Sequence, residues 1–215
     1  MIDEQRVTIW KGISSLLMYL ARTHSLDNTD ISTLKKIIFA GEVLPTKYLI
    51  DWMKRYPDKE FYNGYGPGEG IGMSTIYKVT DVPKNPMDPI PIGKACANCE
   101  VMILNEDLTT TAIGETGEIC IRGSGLSSGY WNDPEKTRRV FITNPITGRE
   151  TDRIYKTGDL GICDSEGNIT FIGRKDHQVK WMGYRIELGE IESTLVSFDE
   201  INDAVVFLSE NGISE

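Results

Sequence analysis

The sequence predicts an α/β chain in three parts: a doubly wound sheet layer (1–79), a small β-barrel-like subdomain (80–174) and a short α+β unit (175–215). Three patterns predict it. Before Val79, apolar runs alternate strand, helix, strand, the signature of a doubly wound layer. Short strands separated by turn signals fill the middle, as in a small barrel or sandwich. From Lys175 the order becomes hairpin, helix, strand.

The elements follow in chain order. Val7–Trp10 reads as a short strand. Ser14–Arg22 carries Leu16, Leu17 and Leu20 at helical spacing. Ile37–Ala40 is a continuous apolar run after two lysines, as in a buried parallel strand. Pro45 stands just before Thr46–Tyr56, where its fixed φ favours a helix start. Phe61–Tyr65 is a strand that runs straight into a glycine-rich loop. Pro83, Pro86, Pro89 and Pro91 then mark a linker or edge segment. Strands are predicted at Glu100–Leu104, Gly117–Arg122, Gly158–Asp164 and Asn168–Ile172, with a hairpin turn at Asp164–Asn168. In the last part a helix is expected at Leu188–Ser197 and a strand at Asp203–Leu208. A unit of that size buries little core by itself.

Composition bounds the function. Of 215 residues, 40% are hydrophobic and 26% charged, as in a packed core with a solvated surface. The net charge of -9, from 23 basic and 32 acidic residues, argues against nucleic acid or an anionic membrane as main partner. No segment reaches the length of a membrane span, and the N-terminus is not a secretory signal, so a cytoplasmic location is expected. Cys96 and Cys99 have the C-x-x-C spacing of a redox pair or half a zinc site. Cys120 and Cys163 stand alone, and His24 and His177 are the only histidines. The expectation is four reduced cysteines, with Cys96 and Cys99 in a turn.

Two stretches carry chemistry. Tyr62–Gly70 reads YNGYGPGEG. Its glycines let backbone N–H groups approach a phosphate closely. Asn63 and Tyr65 offer an amide and an aromatic face to a base, and Glu69 a carboxylate for magnesium, which uses few. Such a loop is also a common plain turn. Tyr155–Leu160 reads YKTGDL and sets Asp159 after a tight glycine turn. One carboxylate can accept two hydroxyl hydrogen bonds; Asp and Gly equally dominate ordinary turns.

Gly173–Glu192, GRKDHQVKWMGYRIELGEIE, resembles the hinge motif GRxDxQVKxxGxRIELGEIE of the adenylate-forming enzymes at nearly every defined position. That superfamily includes acyl- and aryl-CoA synthetases, nonribosomal peptide synthetase adenylation domains and luciferases. The resemblance implies a reaction of a small carboxylic acid or amino acid with MgATP to give acyl-AMP. Transfer to a phosphopantetheine thiol, on a carrier protein or CoA, follows. It also implies that 1–174 ends a large domain and that 175–215 is the hinge and start of a C-terminal lid.

The other motifs are similar to family motifs in turn. YNGYGPGE resembles NxYGPTE, which implies that Asn63, Tyr65 and Gly66 contact the nucleotide and that Glu69 is catalytic and binds magnesium. Gly68 stands where the family has a threonine whose hydroxyl approaches the AMP phosphate. YKTGDL resembles YRTGDL, which gives Asp159 both ribose hydroxyls. Phe39–Pro45 resembles (G/A)GExLx and carries Gly41 and Glu42 next to the adenine pocket. By the same alignment Ile38, Ala40, Gly64, Gly72 and Met73 line the acyl pocket, a floor suited to a small or medium apolar side chain. Gly117–Trp131 resembles GELxIxGxxVxxGY and reads as scaffold, continued by Asn132–Thr137.

Within the hinge motif the resemblance implies that Arg174 reaches the ribose and that Asp176 is the pivot. Lys180, with Gly183 and Arg185, faces the active site during thioester formation, Lys180 as a catalytic residue. Glu187, Glu190 and Glu192 read as the solvated face of a helix start. Leu34–Pro45 and Gly183–Leu188 most resemble amino-acid-activating members, such as nonribosomal peptide synthetase adenylation domains and D-alanine–carrier-protein ligases. The family's Ser/Thr/Gly-rich phosphate loop and late lysine have no counterpart in these residues, so the chain is expected to be an internal piece, inactive alone. An acyl-CoA synthetase and a non-catalytic nucleotide- or partner-binding remnant stay open as alternatives.

Overall fold

The computed structural model describes residues 2, 4–26, 29–176, 178–182, 184–188, 191, 194–195, 198, 201 and 203–207, with the side chains of Lys180, Trp181, Arg185 and Glu187 outside that set. The first sheet holds β1 (Ile9–Ile13), β2 (Lys36–Ala40), β3 (Glu60–Tyr65), β4 (Thr75–Val79) and β5 (Lys94–Ala95), in that spatial order. The pairs β1·β2 and β2·β3 are parallel; β4 and β5 add antiparallel. Helices α1 (Ser14–Thr23) and α2 (Thr46–Arg55) make the two crossovers that parallel pairing demands.

Alternation along the strands decides where the core lies. Ile37, Phe39 and Phe61 are buried against Leu17 of α1 and Leu49 and Trp52 of α2. Trp52 Nε1 donates to the Leu17 carbonyl at 3.0 Å and fastens the two helices. Ile38 and Ala40 point the other way and are only half-buried. The apolar run Ile37–Ala40 is therefore not covered equally on both faces as expected. The face it shares with Ile38 also carries Tyr62 and Lys78, matched across the register, and Glu60 pairs there with Lys36 and Lys78.

The second sheet is antiparallel: β6 (Cys99–Leu104), β7 (Thr116–Gly123), β9 (Arg153–Cys163) and β10 (Ile169–Arg174) run in the order β10-β9-β7-β6, and β8 (Phe141–Thr143) also pairs with β9. One face buries Ile103, Ile119, Ile121 and Ile169 with Tyr65; the other buries Met102, Leu104, Cys120 and Ile154. A bridge between Gly93 and Ile169 joins the two sheets. Only glycine fits there: at φ +82° a Cβ would lie 2.1 Å from the Ile76 carbonyl oxygen.

The mixed α/β class is as expected, with shifts at particular elements. β1 begins two residues late, because its pairing with β2 runs from Ile9 to Ile13. β9 starts at Arg153 rather than Gly158, because Ile154 and Tyr155 pair with β8. Helix α3 (Pro134–Val140) lies in the stretch read only as scaffold; Asp133 caps it by accepting from the Lys136 N–H, with proline in the first turn. The hairpin of β11 (Gln178–Trp181) and β12 (Tyr184–Glu187) forms in the third part. Leu188, Ile191, Thr194 and Leu195 are helical, and the other positions of Leu188–Ser197 lie outside the described residues. Asp203–Phe207 is not a strand. Val205 and Phe207 are 78% exposed.

Candidate functional site

Three separate motifs converge on one carboxylate. Tyr65, the last residue of β3, donates its hydroxyl to Asp159 Oδ2 at 2.6 Å. Arg174, the last residue of β10, donates from one terminal nitrogen to Asp159 Oδ1 at 2.6 Å. The rest of the guanidinium forks onto Asp176, at 2.6 and 2.7 Å. Asp176 also accepts from the Gln178 N–H at 3.2 Å, which ties the hinge residue to the start of β11. Asp159 is 2% exposed.

Local sequence explains this convergence. Gly158 has φ +74°, and a Cβ there would meet an Arg174 terminal nitrogen at 2.8 Å, so glycine serves both the turn and the guanidinium's approach. Thr157 Oγ1 accepts from the Asp159 N–H and donates to the Ile119 carbonyl, which pins Asp159 to β7. Burial, then the negative charge of Asp159, hold the Tyr65 hydroxyl well above its ordinary pKa, so it stays a donor. Burial opposes the Arg174 charge, but pairing with Asp176 and Asp159 outweighs it and raises its pKa.

Glu69 sits in a short 3-10 turn, Gly68–Gly70, after β3 and is 8% exposed. Its Oε1 accepts from the Tyr130 hydroxyl at 2.6 Å. Tyr130 stands edge-on to Phe141, which in turn packs on Tyr155. The stretch read as scaffold thus supplies a group that orients Glu69. No spacing in the sequence marks this pairing of residues 61 apart. Among the described residues no group of three or more His, Cys, Asp or Glu is disposed to hold a metal ion. A single buried carboxylate nonetheless fits magnesium, which binds through one or two carboxylates with waters and substrate phosphates.

A cleft of about 350 Å³ opens just beyond the end of β3, lined by Ala40, Gly41, Gly66, Gly72 and Met73 with Gly68 and other residues. It brings together positions expected at the nucleotide and at the acyl group. Gly64 adjoins it, since a Cβ there would lie 2.5 Å from Met73 Sδ. Ile38 is on the same sheet face but does not line the cleft. Glu42 does not line it either; its carbonyl accepts from Ser14 Oγ at 2.7 Å. Asn63 shares the Tyr65 face, and its amide donates to the carbonyls of Ile90 and Pro91, at 3.3 and 2.9 Å. Lys180 pairs with Arg185 in the hairpin register, but their side chains and Gly183 lie outside the described residues. A larger cleft, about 590 Å³, is lined by Arg122, Asp152 and Arg153 among others and contains none of the expected site residues. Convergence of motifs, not volume, therefore selects the site.

Residues 1–131 match the sequence profile of the family described as AMP-binding enzyme. The chain belongs to the AMP-binding enzyme family. It is 38% identical over 215 residues to gramicidin S synthase 2 of Aneurinibacillus migulanus, covering 100% of this chain and 5% of that protein. It is 41% identical over 177 residues to tyrocidine synthase 2 of Brevibacillus parabrevis, covering 82% of this chain and 5% of that protein. Among solved structures it is similar to PA1221, an NRPS protein containing adenylation and PCP domains, with TM-score 0.85 and 34% identity over 99% of this chain and 42% of that one. The chain thus spans a small part of the curated relatives it matches. No helix among the described residues is long and apolar enough to cross a membrane.

Proposed function

We propose that this chain is the nucleoside-binding wall and hinge of an amino-acid adenylation enzyme. The enzyme condenses a carboxylate with MgATP to acyl-AMP and pyrophosphate, then passes the acyl group to the phosphopantetheine thiol of a carrier protein. The observation that carries the reading is the buried Asp159 carboxylate, shared by Tyr65 and Arg174 from three motifs. The likeness to gramicidin S synthase 2 and to PA1221 supports the choice of amino-acid activation. The division into 1–79, 80–174 and 175–215 is part of this proposal.

Each residue then has a task. Asn63, with its N–H groups spent on Ile90 and Pro91, presents its carbonyl oxygen to the exocyclic amine of adenine. Tyr65 lends its ring to the base, and Gly41, Glu42 and Gly66 border it. Asp159 has lone pairs for both ribose hydroxyls. Arg174 covers that carboxylate, so ribose binding requires its guanidinium to swing toward the ribose. Because the same guanidinium grips Asp176, ribose binding and the hinge are coupled through it. Glu69, steadied by Tyr130, holds magnesium, which when bound neutralises phosphate charge. Lys180 serves the thioester step. Ala40, Gly64, Gly72 and Met73, with Ile38 behind them, form the acyl pocket, where the flexible Met73 sets the depth.

The test is ATP–pyrophosphate exchange by the full-length protein over a panel of amino acids, aryl acids and fatty acids. Exchange with an amino acid bearing a small or medium apolar side chain is expected. Exchange with fatty or aryl acids only, or with nothing, contradicts the proposal.

A further inference from the structure

Cys96 and Cys99 take no part in the site, and their surroundings differ from those of the other two cysteines. All four are free thiols. Cys120 is buried on β7, where burial and then the nearby Glu118 charge push its pKa up to about 12. Cys163 lies on β9, with β7 between it and β6, and its thiol donates to the Asp164 carbonyl. Cys96 and Cys99 are both half-buried and close the turn from β5 into β6.

The turn fixes their spacing. The Cys99 N–H donates to the Cys96 carbonyl at 3.1 Å, the closing bond of a four-residue β-turn. Asn98, third in the turn, has φ +62°, the left-handed conformation that a type II turn needs and asparagine tolerates. The ends of such a turn stand less than about 7 Å apart at Cα, which overlaps the roughly 4.4–6.8 Å span of disulfides. Backbone on two sides holds the turn in place. The Cys96 N–H donates to the Ser74 carbonyl at 2.8 Å, and Gly123 of β7 lies so close to the Asn98 carbonyl that a Cβ would come within 2.4 Å. Burial and then the charge of Cys99 raise the Cys96 pKa. Cys99 and Asn98 also line the larger cleft, about 590 Å³, which gives a small reagent access to this thiol.

We propose that Cys96 and Cys99 form an oxidisable dithiol, which a low-molecular-weight disulfide of the glutathione type closes into an intramolecular disulfide across the β5–β6 turn. In the first step the Cys99 thiolate attacks one sulfur of the small disulfide. That S–S bond breaks, one small thiolate departs with the electron pair and takes a proton from water, and a mixed disulfide remains on Cys99. The Cys96 thiolate then attacks the Cys99 sulfur and expels the second small thiol. Two protein thiols are oxidised, and one small disulfide is reduced to two thiols.

The experiment incubates the native protein with oxidised glutathione, quenches with acid, alkylates the remaining thiols and maps the peptides by mass spectrometry. The expected product is a bridge within the Cys96–Cys99 peptide, with Cys120 alkylated and no glutathione on Cys96 or Cys99. Cys96→Ser and Cys99→Ser should each leave one stable glutathione adduct on the remaining partner. The equilibrium constant for closing the bridge should be larger in the native protein than in urea, because the turn already holds the two residues together. Stable adducts on wild-type Cys96 or Cys99, a bridge to Cys163 or between chains, or full alkylation of both residues overturns the proposal. An equal or smaller constant in the native protein also overturns it, since the turn then contributes nothing.

Discussion

Replacing Asp159 by asparagine removes a charge and keeps the shape. In the wild type one carboxylate oxygen accepts from Tyr65 and the other from Arg174, each at 2.6 Å. In Asp159→Asn the remaining oxygen stays on Arg174. The new amide then faces the Tyr65 hydroxyl, which turns to accept instead of donate. Arg174 keeps its fork on Asp176, so its charge is not stranded. Stranding a buried charge would cost roughly 3–5 kcal/mol. Here the Tyr65 bond becomes a neutral one and the Arg174 bond loses its anionic acceptor while keeping its charged donor, at about 1 kcal/mol each, so stability should fall by about 2 kcal/mol. Urea unfolding measures that fall. If the carboxylate also takes both ribose hydroxyls, calorimetric titration with AMP should show a separate loss. For Asp159→Ala, which removes both acceptors, binding should weaken by roughly 1.5–3 kcal/mol. Unchanged AMP affinity in variants that lose the expected stability would mean that Asp159 only fastens Tyr65 to Arg174.

Other substitutions test separate parts of the account. Gly66→Ala sets a Cβ 2.0 Å from the Gly72 carbonyl oxygen, so urea unfolding should show a loss near the upper end of overpacking costs, about 3 kcal/mol. At Gly68 a Cβ would meet no atom within 4 Å, so Gly68→Thr should change stability by less than about 0.5 kcal/mol and hold or raise the adenylation rate. Asp176→Pro in the full-length enzyme fixes φ and removes the grip of Arg174. Pyrophosphate exchange should largely survive while thioester formation falls by orders of magnitude; Asp176→Ala, which loses the grip alone, should spare both steps. Cys120 stays protonated in the folded state above its ordinary pKa of 9.0, so its contribution is complete below pH 9 and declines as pH rises toward 12. Between pH 8 and 10.5 this costs the wild type roughly 2 kcal/mol that Cys120→Ala does not lose, measured as the difference between two urea-unfolding series.

Much of the site is legible in the sequence because its residues stand beside glycines. Tyr65 closes β3 just before Gly66, Arg174 closes β10 just after Gly173, and Asp159 follows Gly158, whose positive φ breaks the regular course of β9; each glycine marks a place where the chain presents a side chain. Pairing across the fold leaves no such trace. Tyr130 reaches Glu69 because α3 and β8 set Phe141 beneath its ring, and neither element shows in hydrophobic periodicity. β8 has three residues and β5 two, too short for any alternation to register. The bounds of β1 and β9 come from partner strands, so periodicity in the chain itself misplaces them. The expected strand at Asp203–Leu208 is not formed at its described residues, Asp203–Phe207.

The central claim is that the carboxylate shared by Tyr65 and Arg174 is the ribose site of an adenine nucleotide. A crystal structure with bound AMP tests it most directly. The account predicts both ribose hydroxyls within hydrogen-bond distance of Asp159, the adenine against Tyr65, and the Arg174 guanidinium displaced from the position in which it covers that carboxylate. AMP bound in the cleft beside Arg122 and Arg153, with the Asp159–Arg174 pair still closed, would contradict it.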